Sequence, residues 1–304
     1  MDASTKDERS DPVRRPRPLE LCGEGGGPAL AGFLVERRQP MLDQLLLQVP
    51  SGAGGLGNIR AETDAEMDFS EILARELGRP VAEISAFDIC AYPVEASQVI
   101  GLEGEFLASA RLDNLLSCFI VSEALVQNDT AEGTMIVLND HEEIGSVSTG
   151  GADGPFLESI LRRASTGIDF ECVRANSLMI SIDNAHGVHP NYASKHDESH
   201  RPLLNEGPVV KVNANHRYAT TAITQGLIEQ AAERADVPLQ YFSGRADLGC
   251  GSTIGPLTAG RLGIDTIDLG CAQFAMHSAR ETCGIKDPEL MLKLVTQLTR
   301  RDLV

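Results

Sequence analysis

Residues 111–145 read RLDNLLSCFIVSEALVQNDTAEGTMIVLNDHEEIG. Leu112 to Val126 reads as a helix entered through Asp113, and Met135–Leu138 as a buried strand. Glu142 and Glu143 follow just past the strand's end. Ligand sites in α/β folds are built at such strand ends. Three carboxylates meeting there repel one another unless protons or a metal offset them. The stretch thus predicts an α/β sheet and asks the remaining sequence for metal ligands.

The following residues continue the alternation. Asp153–Arg163 reads as a helix, Ser177–Ile182 and Val209–Val212 as strands, and Thr220–Ala235 as a long helix. An apolar strand follows Pro238, Ile264–Leu269 is another, and Pro288–Arg300 closes as a helix with Pro in its first turn. The expected fold is a layered α/β domain with a mostly parallel or mixed sheet. Earlier residues are weakly patterned: a Pro/Gly-rich leader, an apolar piece at Pro40–Val49, a short helix at Asp68–Leu77, and strand-like residues 84–100 broken by Pro93.

The 304 residues suffice for one large or two ordinary domains, and a hydrophobic content of 42% allows a proper core. The net charge of −18 argues against nucleic acid or an anionic membrane as partner. Seven scattered cysteines with no CxxC pair fit reduced thiols in a cytoplasmic protein. No stretch is apolar enough to span a bilayer, and the polar start MDASTKDERSDPVRRPRP is not a secretory signal.

Each candidate residue has a bland reading beside a functional one. Asp113 could be a helix cap or a metal ligand. Glu142 and Glu143 could form a solvated acidic turn, or divide into one ligand and one general base. HEEIG is not HExxH, so the helical zinc-protease motif is absent. Asp183 ends a strand, and Gly187 and Pro190 make a helical His186/His189 pair a weak signal. Lys211 sits inside an apolar run and either reaches an edge or points into a site, with Tyr218 following. GCGSTIGP at 249–256 lacks the P-loop Lys, and no nucleophile elbow surrounds Ser252. Jointly, Asp113, Glu143, Asp183 and His277 suit a paired Zn²⁺ or Mn²⁺ centre bridged by a carboxylate, with Co²⁺ a further candidate. Two-metal centres of this type activate water for peptide hydrolysis.

Long segments also resemble the aspartyl aminopeptidase family of metallopeptidases. They are RLDNLLSCF, NDHEEIGS, GADGPFLESILRR, SIDNAHGVHPNYASKHDESHRPLLNEGPVVKVNANHRYATT, GCGSTIGP and FAMHSARE, spread over about residues 84–304. The resemblance implies a two-zinc enzyme that removes N-terminal Asp or Glu from peptides and assembles into a homo-oligomer. It implies Asp113 as bridging ligand and Glu142 as general base. It places Glu143 and His277 on one metal and Asp183 on the other, with His186, Lys211 and Tyr218 lining the substrate pocket. It makes 36–103 a remnant of an inserted β-rich oligomerisation domain and 104–304 a catalytic domain, after a leader at 1–35 that does not resemble the family.

The sequence departs from that pattern at one ligand. The family's His-x-Asp motif supplies a further His to the second metal, whereas all seven histidines here lie at or beyond 141. The His that the inserted domain sends to a neighbouring subunit is also missing from QLLLQV at 44–49, where Gln48 takes its place. One metal site then keeps Asp113, Glu143 and His277, and the other only Asp113 and Asp183. A truncated product, a catalytically impaired relative acting as a binding or oligomer subunit, and an active one-metal variant are the expectations this leaves. A non-metal hydrolase using Cys250 or Ser252 is the remaining competitor.

Overall fold

The computed structural model describes residues 69–87, 93, 95–127 and 133–300. In chain order the elements are α1 (Phe69–Leu77), β1 (Gln98–Ile100), β2 (Phe106–Ser109), α2 (Leu112–Gln127) and α3 (Phe156–Ala164). There follow α4 (Phe170–Ala175), β3 (Leu178–Ile182), β4 (Ala185–His186), β5 (Val209–Val212) and α5 (Ala222–Ala235). The last are β6 (Gln240–Ser243), α6 (Ile254–Leu262), β7 (Asp265–Gly270), β8 (Ala272–Phe274), β9 (Glu281–Gly284) and α7 (Asp287–Leu298). The leader at 1–35 lies outside the described residues, as does most of 36–103.

Local chemistry explains several element ends. Thr221 caps α5 in a reciprocal box: its hydroxyl accepts from Thr224 N, and the Thr224 hydroxyl accepts from Thr221 N. Pro288 sits in the first turn of α7, where no N–H is needed. Asp287, fully buried at that helix start, accepts N–H bonds from Asn205 (2.8 Å) and Gly207 (3.1 Å). Burial lifts its pKa to about 6 against the pull of those donors.

The strands form two mixed sheets, the layered α/β architecture that the alternation of apolar segments predicts. One sheet has the order β3-β7-β5-β6 and the other β1-β2-β9-β8-β4. In the first, β3 and β7 are parallel, β5 and β6 are parallel, and β5 runs antiparallel to β7. The main core lies where α2, α5 and α7 meet this sheet, built on Leu116, Ile120, Ile228, Ile267, Met291 and Leu294. Each such side chain contributes roughly 1.5–3 kcal/mol on burial. With few aromatics, Leu, Ile and Val fill the space by interdigitation.

The two sheets join through shared strands. β3 runs on into β4, and β7 into β8, with their hydrogen bonding unbroken. Asp183 N donates to Leu269 O (2.9 Å), Ala185 N to Cys271 O (2.8 Å) and Gly187 N to Gln273 O (2.9 Å). Asp183 therefore lies at the crossing between sheets. Gly270 makes the crossing possible, because a Cβ there would stand 2.0 Å from the Asp183 carbonyl oxygen. Gly270→Ala is expected to destabilise the fold by at least about 2 kcal/mol through overpacking. A denaturant midpoint unchanged from wild type would contradict this.

Two expectations need correction. Met135–Leu138 is not a buried strand: residues 134–139 are irregular, with Leu138 53% exposed. A strand exists only by pairing, and no described strand pairs with this segment. Apolar β-branched composition alone could not supply that partner. Asp113 is not a helix cap either. It lies inside α2, which starts at Leu112, yet Asp113 (φ −86°, ψ 108°) and Asn114 (φ −118°, ψ 26°) are non-helical, and the peptide bond between them is cis.

Candidate metal centre

A cavity of about 1270 Å³ opens beside the crossing between the sheets. All eight site residues read from the sequence line it: Asp113, Glu142, Glu143, Asp183, His186, Lys211, Tyr218 and His277. The irregular start of α2 presents Asp113. HEEIG folds as a tight turn, a single 3-10 turn over Glu142–Ile144 between His141 (φ 61°) and Gly145 (φ 99°). Gly145 meets this left-handed requirement without a Cβ penalty. The Ser146 N–H closes the turn on His141 O at 2.8 Å. The loop after β8 brings His277, itself at φ 66°.

Three of these side chains converge. His277 Nε2 lies 3.1 Å from Asp113 Oδ2 and 3.2 Å from Glu143 Oε1. One ligand atom from each of Asp113, Glu143 and His277 falls within 4.8 Å of the others. Four-coordinate Zn²⁺ with bonds of about 2.0–2.1 Å sets its ligand atoms about 3.3 Å apart, so the donor set and spacing fit that ion. The Asp113 side chain is only 4% exposed, and its Oδ1 is buried with no hydrogen-bond partner. Burial, reinforced by Asp183, Glu143 and Glu281, pushes the Asp113 carboxyl up to about 8. An ionised Asp113 therefore calls for a cation beside it.

The other predicted residues take separate places. Glu142 lies in the cavity wall, outside the converging three, and burial, then Asp183 and Glu143, raises its pKa. Asp183 is not part of the three either. Its Oδ2 pairs with Lys211 Nζ at 3.3 Å. Lys211 is almost fully buried in β5 and lies 5.5 Å from the Tyr218 ring centroid. His186 ends β4 in the concave wall, where burial and then Lys211 hold its imidazole below the usual value. His189 joins no metal cluster: its ring caps the turn at Pro190–Lys195, accepting from Asn191 N. The Ser252 hydroxyl donates to the Arg217 and Thr253 carbonyls, and the Cys250 thiol to the Tyr218 hydroxyl. Neither has an imidazole as hydrogen-bond partner, so neither is set up as a base-activated nucleophile.

Sequence reading passed over the residues that hold this centre in place. Asn114 Nδ2 donates to Ile182 O (2.8 Å), and Asn184 Nδ2 to Leu112 O (2.8 Å), tying the irregular start of α2 to the crossing strands. Glu281 in β9 is buried and accepts from the Asp113 and His277 backbones. Asp268 in β7 accepts from Thr253 Oγ1 (2.7 Å) and Ala219 N (2.6 Å), anchoring the Gly-rich loop and the Tyr218 segment. The one signal for Asp268 was an acidic residue inside the apolar run Ile264–Leu269.

The layered α/β fold brings two carboxylates and an imidazole together beside the crossing of its sheets, a donor set of the kind zinc metallopeptidases use. The chain belongs to the M18 peptidase family: residues 54–298 match the family described as "Aminopeptidase I zinc metalloprotease (M18)". A Pseudomonas fluorescens (strain Pf0-1) protein called "Probable M18 family aminopeptidase 2" is 49% identical over 238 residues, 77% of this chain and 56% of the relative. The chain thus spans little more than half the length of the curated relatives it matches. A structure described as the S. cerevisiae mApe1 dodecamer superposes with a TM-score of 0.67 at 32% identity, covering 75% of this chain and 53% of that one. An M18 aminopeptidase structure from Thermotoga maritima gives a TM-score of 0.70 at 24% identity over 76% of this chain and 54% of its own, a likeness of fold.

Proposed function

We propose that this chain is a metal-dependent aminopeptidase that removes N-terminal Asp or Glu from peptides. The convergence of Asp113, Glu143 and His277 carries the reading, within a family of zinc metallopeptidases. These three residues would hold Zn²⁺, with Mn²⁺ or Co²⁺ as alternatives for the same donors. When bound, the cation supplies Lewis acidity, polarising the scissile carbonyl and acidifying a water. Glu142 takes the proton from the attacking water at a carboxylate oxygen and delivers it to the departing amine nitrogen. Asp183 with Asp113 offers two ligands to a second cation, in competition with the Lys211 ammonium that Asp183 already holds. His186, Lys211 and Tyr218 form the wall against which the substrate's first residue packs.

Charge supports the acidic preference. Lys195 and Arg217 line this cavity together with Lys211 and Arg245, which pair with Asp183 and Asp247, and with the carboxylates of Asp113, Glu142 and Glu143. Lys195 and Arg217 are the cations on which an acidic preference rests, each able to draw a carboxylate side chain toward it. The acidic peptide series is the direct test. Asp- and Glu-headed peptides are expected to be cleaved at least about 10-fold faster, by kcat/KM, than Ala- or Leu-headed ones, a modest discrimination of about 1.4 kcal/mol. Equal rates would remove the acidic specificity. No release from folded, metal-loaded protein would favour the catalytically impaired relative acting as a binding or oligomer subunit.

The same reading includes self-assembly and a reducing compartment. A yeast relative is described as a dodecamer, which supports a homo-oligomer here. Among the described residues Cys118, Cys172, Cys250, Cys271 and Cys283 are free thiols, as the cytoplasm would keep them. No helix among the described residues is long and apolar enough to cross a membrane.

A further inference from the structure

Glu281 opens β9 and is 1% exposed. Its carboxylate accepts two backbone hydrogen bonds with opposite origins in the fold. Oε2 accepts from Asp113 N at 2.8 Å, and Oε1 from His277 N at 2.7 Å. One rigid planar group therefore grips the main chain of two of the three converging residues. Those residues lie 164 positions apart and belong to no common element: Asp113 lies in the irregular first turn of α2, and His277 sits in the loop between β8 and β9.

The His277 loop needs holding, because Ala275 and His277 sit at positive φ (55° and 66°). Conformations of this kind persist only where the surroundings over-determine them. The loop's own closure is a turn bond, Ser278 N to Ala275 O at 3.0 Å, with the Ser278 hydroxyl accepting from Arg280 N and donating to Arg280 O; none of these holds His277 itself. A neutral amide does comparable work nearby, since Asn184 ties Leu112 O at 2.8 Å. At position 281 the grip is instead a buried carboxylate whose two oxygens each take one N–H. Two N–H donors, held by a charged acceptor, also make stronger bonds than neutral ones would.

We infer that Glu281 is a positioning residue that fixes the Asp113–His277 separation and so sets how tightly a divalent cation is held. The inference rests on the cation-site reading proposed above. Gln is near-isosteric with Glu but presents an amide donor to one of the two N–H groups, so Glu281→Gln loses one grip and the charge. Glu281→Asp keeps the charge and falls one methylene short of both donors.

The test is a Co²⁺ titration of the full chain, read by visible absorption and by competition with a chelator, and scaled to the folded fraction from far-UV circular dichroism. Glu281→Gln is expected to weaken Co²⁺ binding by about 10–100-fold, as losses of groups that orient ligands do, and to change the absorption bands of the bound ion. Glu281→Asp is expected to fall between Gln and wild type. A structural role alone would lower the metal-free melting temperature and leave the affinity and spectrum of the folded fraction unchanged, and that result overturns the inference. If Glu281→Gln does not fold, Glu281→Asp decides: wild-type affinity and spectrum in that variant also overturn it. Wild-type protein that binds no Co²⁺ would overturn the cation site and this inference together, whereas wild-type binding matched by both variants overturns this inference alone.

Discussion

Glu142→Gln is expected to lower peptide release by about 10²–10⁴-fold, the range for removing a positioned general base. Metal uptake should remain at the wild-type level, because Glu142 lies outside the Asp113, Glu143 and His277 cluster. The tight 3-10 turn explains the division of labour. Successive residues on it diverge, so Glu143 approaches His277 at 3.2 Å while Glu142 stays in the cavity wall. Gln keeps the shape and polarity of the side chain and loses only the ability to take a proton. The measurement pairs release of Asp from an Asp-headed dipeptide with metal content on the same sample. Turnover at the wild-type rate would sink the role given to Glu142. Loss of metal together with turnover would mean that Glu142 is a ligand.

His277→Ala should weaken Zn²⁺ binding by more than about 100-fold, beyond the loss typical of a group that merely orients a ligand. It removes the imidazole from the three-residue cluster and leaves two carboxylates, Asp113 and Glu143. Two hard oxygens hold Zn²⁺ poorly in competition with water. The His277 side chain is 60% exposed, so its removal opens no core cavity and the fold should persist. Two readouts check this. Metal analysis after gel filtration should show wild-type protein retaining Zn²⁺ and the variant losing it. Added Zn²⁺ should raise the melting temperature of wild type by mass action and leave the variant unmoved. Equal metal content in the two proteins would contradict the site.

How much of this was legible from the residues depends on the kind of signal each one carries. Helices announced themselves through pattern and punctuation, as at Thr221 and Pro288, because those signals are local. Strands such as Leu178–Ile182 and the buried Val209–Val212 were visible as short apolar runs. The run at Met135–Leu138 looked the same and is irregular, since pairing is a property of two segments and composition belongs to one. β8 and β9 were not anticipated. Ala272–Phe274 and Glu281–Gly284 are too short, and Glu281 too polar, to stand out.

Chemistry followed the same rule. Asp113, Glu143 and His277 were nominated as residue types suited to a metal, and the resemblance of their surrounding segments added roles. That these three atoms come within 4.8 Å, while Asp183 turns to Lys211, is written nowhere in their spacing along the chain. The sequence by itself determined the α/β class, the family, the cast of acidic and imidazole groups, and the excess negative charge. Tertiary structure alone decided which of them meet, and why Glu281 and Asp268 are buried as anchors. The reason is physical: hydrophobic period and turn chemistry act over a few neighbours, whereas the cluster of Asp113, Glu143 and His277 is assembled from a helix start, a tight turn and a loop 30 and 134 positions apart along the chain.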